Sequence, residues 1–537
     1  AGQIFECLYN YKYDIRPYEL FPELAEELPE VSGDGLTVTI KIRPGIHYYD
    51  PDKVVFPDGI GPEVAAGDFV YSWKRIADFH LASPLYSQLL QGRIVGLDGW
   101  WDYTKATRDA AEIDWDKPVE GLQTPDSRTL VIKLTEPYPQ LNFNLAYLPT
   151  AAVCRKVVEH YRDEVRRHPI GTGAYGLRRA DYEPDQRIVM HANPIYRGRQ
   201  DVDGGAVVPP DQRLPHIQHL DYYFFREDLP IWLLFQQGYF DTAGIPKDSF
   251  AKAIKISTGD LTEEMRGKGI VLTKSTAAET AYFGFNMTDP VVGKNKPLRQ
   301  AISMGFDRAT YIRIFLNGRG IPAIGPIPPG FPTFDTKRGN PYTKFNPDAA
   351  RQQVAQAIEI NGGPLPSLQL LMGDTDTQTR QEAEFFTSQM KNIGINIHTE
   401  YRTWARFQEM VDNRQTQIFQ LGWVADYPDE QDFFQLFYGK NAPAGGSNPC
   451  GYVNPEFDAL YEKASVMQRS SQRDELYRKM EQIVMDDCPW ATLLYPLVYA
   501  LHYDWLRHTS DMDYGYGLRQ HMALGASLRE ERLAGGK

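Results

Sequence analysis

Ile418-Phe419-Gln420-Leu421-Gly422-Trp423-Val424-Ala425-Asp426-Tyr427-Pro428-Asp429 is an apolar, strand-like run that ends in a turn. The turn places an aromatic, a carboxylate and a second aromatic together where the chain leaves the strand, a pattern found at binding sites. One reading gives Asp426 to a ligand's positive group. The other is an ordinary turn, since Asp, Pro and Tyr are common turn residues.

What lies upstream gives the run its place in a fold. From Ser367 the chain reads as strand Leu368 to Met372, helix Gln378 to Asn392 stopped by Gly394, strand Ile395 to Tyr401, helix Trp404 to Asn413, then the quoted strand. That alternation is a βαβ pattern with a parallel sheet, whose ligands bind at the carboxyl ends of the strands. The fold class is therefore α/β, and Asp426 stands at such an end.

Further out, Asp34-Gly35 precedes an alternating strand, Leu36 to Ile42, and Asp68 reads as the N-cap of an amphipathic helix through Ile76. A second alternating strand spans Thr129 to Leu134. Gly171 and Gly173 mark a turn that we read as a domain crossing. Residues 201–215 read as a surface loop and Ile217 to Phe225 as a strand. Tyr282 to Asn286 is a short aromatic strand, followed by one helix that opens near Pro297 and stops at Gly318. Helices that open at Asn346 and Asn454 and one that runs from Ser471 come later, and Leu493 to Leu501 reads as a buried strand.

The chain has 537 residues, too many for one hydrophobic core, so two or three domains are expected. Lys and Arg number 57 and Asp and Glu 70, a net charge of −13 without an acidic tail, which argues against nucleic acid as a partner. Cys7, Cys154, Cys450 and Cys488 lack ligand-like spacing, so neither a metal nor a cofactor is expected. For an exported protein Cys450 and Cys488 are the pair to test as a disulfide, with two buried thiols as the alternative. No apolar run reaches the roughly 20 residues of a membrane span. His-Glu-x-x-His, Gly-x-Ser-x-Gly and the P-loop are missing, so no enzyme is expected. Asp426 with Asp429 would be a carboxylate pair for glycoside hydrolysis, but turn carboxylates are usually solvated.

Several stretches then fall in one order along nearly the whole chain: Asp68-Phe69-Val70-Tyr71-Ser72-Trp73-Lys74-Arg75, Ala82-Ser83-Pro84, Pro169-Ile170-Gly171-Thr172-Gly173-Ala174-Tyr175, Leu298-Arg299-Gln300-Ala301-Ile302, Asp307-Arg308, Ile393-Gly394-Ile395, Gly422 to Asp429, and Asn454-Pro455-Glu456-Phe457-Asp458. In this the sequence resembles the extracellular solute-binding proteins of peptide ABC importers, the family of the periplasmic oligopeptide- and dipeptide-binding proteins. The resemblance implies a three-lobed periplasmic-binding-protein-like fold with mixed sheets and a hinged ligand cleft. Lobe I takes 1–5, 169–278 and 494–537, lobe II takes 6–168, and lobe III, which anchors the ligand, takes 279–493. It further implies a monomer in the periplasm or outside the cell that hands a peptide to ABC permease subunits, touching the membrane only through the transporter or a removed lipid anchor.

By the same resemblance Asp426 matches the aspartate of a Trp-x-Ala-Asp-Tyr motif that pairs with a peptide's α-ammonium. Trp423 and Tyr427 flank it. Trp423 and Trp404 fall where the family places aromatics near bound peptide, the competing reading of both being core packing. Leu85 and Tyr86 fall where lobe II contributes, and Tyr282 on a strand that lies along the peptide backbone. Gln420 and Gln378 stand where relatives use an arginine and a histidine to meet the ligand carboxylate. Glutamine bonds a carboxylate without neutralising it. The carboxyl end is then held elsewhere, by Arg380 or Arg402, is modified, or does not exist. The chain also starts about one strand late for the family, with Cys7 where a glycine is usual. A non-peptide cargo such as an oligosaccharide or metal complex is the alternative within the class, and a signalling receptor is a third.

Overall fold

A computed structural model of the chain describes residues 1–13, 15, 17–83, 85–198, 214–510 and 513–535. The surface-loop reading of 201–215 lies outside these up to position 213. The chain forms two units, the first made of Ala1–Pro246, Leu261–Leu272 and Ala500–Lys537, the second of Lys247–Asp260 and Thr273–Tyr499.

Unit 1 holds a four-stranded antiparallel sheet in the order Glu30–Val31, Thr37–Lys41, Thr129–Lys133, Leu122–Asp126, and a three-stranded one in the order His219–Tyr223, Arg187–Ala192, Tyr175–Glu183. The helix read from Asp68 starts earlier and spans Ala66–Ile76. Asp68 lies inside its first turn and reaches back to accept from the Ala65 N–H at 2.9 Å, so the carboxylate caps from within. Gly171 and Gly173 lie inside this unit. A Cβ on them would sit 2.1 Å from the Ile4 carbonyl oxygen and 2.6 Å from that of Gln3, so a close approach of main chain requires glycine there.

Unit 2 carries the quoted run. Its main elements are β1 (Glu279–Phe285), α1 (Lys296–Met304), α2 (Arg308–Phe315), α3 (Pro347–Asn361), β2 (Leu368–Met372), α4 (Thr377–Asn392), β3 (Ile397–Tyr401), α5 (Trp404–Asp412), β4 (Ile418–Val424), α6 (Pro455–Ser465), α7 (Ser471–Asp487) and β5 (Trp490–Tyr503), whose residues from Ala500 on are counted with unit 1. The single helix read from Pro297 to Gly318 is two, α1 and α2. Gly305 ends the first, and the Asp307 carboxylate accepts from the Thr310 N–H at 3.0 Å to begin the second.

The sheet runs in the order β5-β1-β4-β2-β3, with β2 parallel to both β3 and β4 and with β1 antiparallel to β4 and β5. The chain leaves β2 for β3 on one side and returns through α5 to β4 on the other. The carboxyl ends of β2 and β4 therefore flank a topological switch point, the usual place for a ligand on such a sheet. Phe283, Phe285, Leu368, Leu370 and Ile418 pack with α1, α2, α3 and α4 into one core, which fixes the face of β4 that each side chain takes.

Candidate functional site

Alternation along β4 puts Phe419, Leu421 and Trp423 on one face and Gln420, Gly422 and Val424 on the other. Across the ladder Thr280 stands opposite Trp423 and Tyr282 opposite Leu421, while Phe283, Ala281 and Glu279 oppose Gln420, Gly422 and Val424. The two faces have different chemistry, and Asp426 follows directly past the strand end.

Asp426 is half-buried, and its main-chain N–H donates to Asp432 Oδ2 at 3.0 Å. The same oxygen accepts from the Trp423 indole Nε1 at 2.9 Å, and Gln435 Nε2 reaches Oδ1 at 3.1 Å. Asp432 is fully buried. Burial first, and the charge of Asp426 second, hold its carboxyl well above the usual carboxylate range. Trp423 thus supports the turn by a hydrogen bond as well as by its ring.

Three residues on, Asp429 is buried, not solvated as a turn carboxylate would be. Arg473 of α7 donates to its two oxygens at 2.8 and 2.9 Å, and the Tyr477 hydroxyl and the Gln431 N–H reach Oδ1 at 3.0 Å each. A buried ion pair held by these bonds is a structural post. Tyr427 turns inward, 2% exposed, with its hydroxyl donating to Gln431, which in turn donates to Tyr461. Its expected place beside a ligand is corrected: the ring is part of the core beneath the turn.

On the other face Gln420 Nε2 lies 3.4 Å from the Tyr311 hydroxyl, which donates to Glu382 Oε2 at 2.8 Å, and Gln378 Nε2 donates to Glu382 Oε1 at 2.8 Å. The two glutamines of the sequence reading are brought together by Tyr311 of α2 and Glu382 of α4. Farther along this face the Glu279 carboxylate leans over Gly422, within 2.8 Å of where a Cβ would be. Burial raises the Glu279 carboxyl above its ordinary value.

The structure also reassigns other residues. Tyr282 is fully buried and stacks on Trp490 at 3.5 Å between ring centroids. Its backbone faces Leu421 of β4 on one side and Thr492 of β5 on the other, so neither edge of β1 is open there and the expected strand pairing with a peptide fails. Trp404, at the start of α5, is 53% exposed and stacks on Phe407, which removes the core-packing reading for its outer face. Arg380 lies over the Tyr401 ring at 4.6 Å, and Arg402 pairs with Glu400. Leu85 and Tyr86 belong to unit 1, where the Tyr86 hydroxyl donates to Asp98 at 2.5 Å. Cys450 and Cys488 are separate buried thiols that donate to the carbonyls of Pro489 and Trp490, and burial pushes them up to about 12 and about 11. Each thiol already has its own acceptor, so the disulfide reading is withdrawn.

Asp432, Glu382, Tyr311 and Glu279 were missed at the level of sequence. The one local signal is Asp429-Glu430-Gln431-Asp432 running straight into Phe433-Phe434, polar residues too close to a buried aromatic pair to stay in water.

The model of the bacterial extracellular solute-binding proteins, family 5, middle region, matches residues 19–445. The chain belongs to that family. Among its relatives are the oligopeptide-binding protein OppA of Bacillus subtilis, 22% identical over 92% of this chain and 82% of that protein, and heme-binding protein A of Haemophilus influenzae, 24% identical over 93% and 83%. The fold is that of the Helicobacter pylori periplasmic binding protein DppA, solved with the peptide STSA, at a TM-score of 0.76 and 18% identity over 98% of this chain and 93% of that one. The Escherichia coli murein tripeptide-binding protein MppA gives a TM-score of 0.75 at 21% identity over 97% and 93%. The family is one of solute-binding proteins, periplasmic or extracellular.

Proposed function

We propose that this family 5 protein is the substrate-binding component of an ABC importer, that it captures peptides, and that Asp426 pairs with the ligand's α-ammonium. The observation that carries this reading is the placement of Asp426, half-buried past the end of β4 beside the switch point, with its main chain fixed by the buried Asp432. An ammonium stripped of water needs a compensating carboxylate, and a charge-assisted bond in a partly dry site contributes more than one in water. Relatives named for oligopeptides support the cargo class. Trp423 and the exposed Trp404 supply aromatic surface on the same unit. Delivery to permease subunits, a monomeric state, the three-lobe division at 6–168 and 279–493, and a lipid anchor belong to the same proposal.

The experiment is to denature the purified protein, identify what it releases by mass spectrometry, and titrate the emptied protein with free and N-acetylated peptides. Asp426→Asn weakens binding by about 2 to 5 kcal/mol, about 30-fold or more, with the fold intact. Affinity that is unchanged by acetylation removes Asp426 from this role. A second cargo reading, a metal complex such as haem, is favoured by the relative named heme-binding protein A. Released haem, visible by its absorbance, would decide for it.

A further inference from the structure

Gln420, Tyr311, Glu382 and Gln378 form one chain of hydrogen bonds from β4 through α2 to α4. Within that chain lies the Glu382 carboxylate, whose oxygens accept from neutral donors, a hydroxyl and an amide, each at 2.8 Å. Among the described residues Glu382 forms no ion pair, while Arg380 lies over the Tyr401 ring and Arg402 pairs with Glu400. Glu382 is half-buried and Gln378 exposed, so solvent and ligand reach this end of the network. Burial, and then the charge of Glu382, raise the Tyr311 hydroxyl above its ordinary range, so it stays a proton donor to that carboxylate.

Gln420 lies on β4 and Asp426 just past its end, six positions on, a span of at most about 20 Å at roughly 3.3 Å per residue. A ligand anchored at Asp426 reaches the glutamine pair within about six extended residues. What it meets there is a fixed negative charge behind two amides. A second carboxylate brought to such a site suffers like-charge repulsion that the amides do not cancel. An amide, a hydroxyl or a cation does not.

We propose that Glu382 is a specificity-determining residue: it makes the Gln378–Gln420 end of the site reject a ligand carboxylate, so that the preferred peptide presents an uncharged or cationic group there. This rests on the peptide reading above. Selection against one terminal charge is discrimination by repulsion, which needs no tight contact to the accepted group.

The test uses the full chain emptied of carried ligand and titrated calorimetrically with peptides of two to six residues, each as the free acid and as its C-terminal amide, all with a free amino end. Wild type binds the amide at least about tenfold more tightly than the acid, and Glu382→Gln brings the two within about threefold, chiefly by tightening the acid. The variant keeps the length of the side chain and an acceptor for Tyr311, and circular dichroism checks its fold. An acid bound by wild type as tightly as its amide overturns the proposal and leaves the peptide reading standing, as does a preference that survives in Glu382→Gln. Failure of every peptide in both forms overturns the peptide reading and this proposal with it.

Discussion

Asp429→Asn keeps the size of the side chain and removes its charge, which leaves the Arg473 guanidinium, 3% exposed, without a counter-ion. In the native turn Arg473 donates to both Asp429 oxygens and Tyr477 to one of them, so the substitution also unsettles the acceptor of that hydroxyl. Breaking one side of a buried pair costs about 3 to 5 kcal/mol, most of it the charge left behind. For a unit of this size each kcal/mol lowers Tm by about 2–4 °C, so the variant should melt about 6–20 °C below wild type. Differential scanning calorimetry measures this. The double variant Asp429→Leu with Arg473→Met, which removes both charges together, should regain most of the loss. A single variant within about 2 °C of wild type refutes the reasoning, and so does a double variant that melts as low as the single one.

Two outcomes concern pH. The Asp432 carboxyl is held high by burial and by the charge of Asp426, so a bound ammonium at Asp426 pulls it down and binding releases protons. Calorimetry in buffers of different ionisation enthalpy reads the release, and a binding enthalpy independent of buffer contradicts the coupling. Glu481, buried beside Arg338, is raised by burial from 4.5 to about 7 despite that partner. Between those values the folded chain keeps a proton that the unfolded chain has lost. Stability therefore falls as pH rises from 4.5 to 7, by up to about 3 kcal/mol, and is level above that. Denaturant titrations on Glu481→Gln should show this slope flattened, and an unchanged slope assigns it to other groups.

The βαβ core was legible because each of its elements carries its own punctuation: Asn346 and Gly362 at the ends of α3, Gly394 after α4, and apolar runs the length of strands. Asp426 was legible because its neighbours in sequence are also its neighbours in space. The rest of the site depends on distance along the chain. Gln420 and Gln378 meet only because α2 and α4 bring Tyr311 and Glu382 between them, and nothing local to any of the four marks that meeting. Which carboxylate of Asp429-Glu430-Gln431-Asp432 goes beneath Asp426 is set by one short helical turn, Gln431–Phe434. Tyr282 was misjudged for a related reason: a strand's own residues say nothing about whether both of its edges are taken.

That last point bears on how such a protein changes over time. With β1 paired on both sides at Tyr282, its main chain cannot serve as a generic docking rail at that position, and on the proposed function a cargo is read by side chains on β4, α4 and the turn after β4. Side chains of that kind mutate without disturbing the ladder that holds the sheet together. A lineage can therefore drift from one solute to another while its frame stays recognisable, which fits relatives near one-quarter identity that carry names as different as oligopeptide-binding and heme-binding.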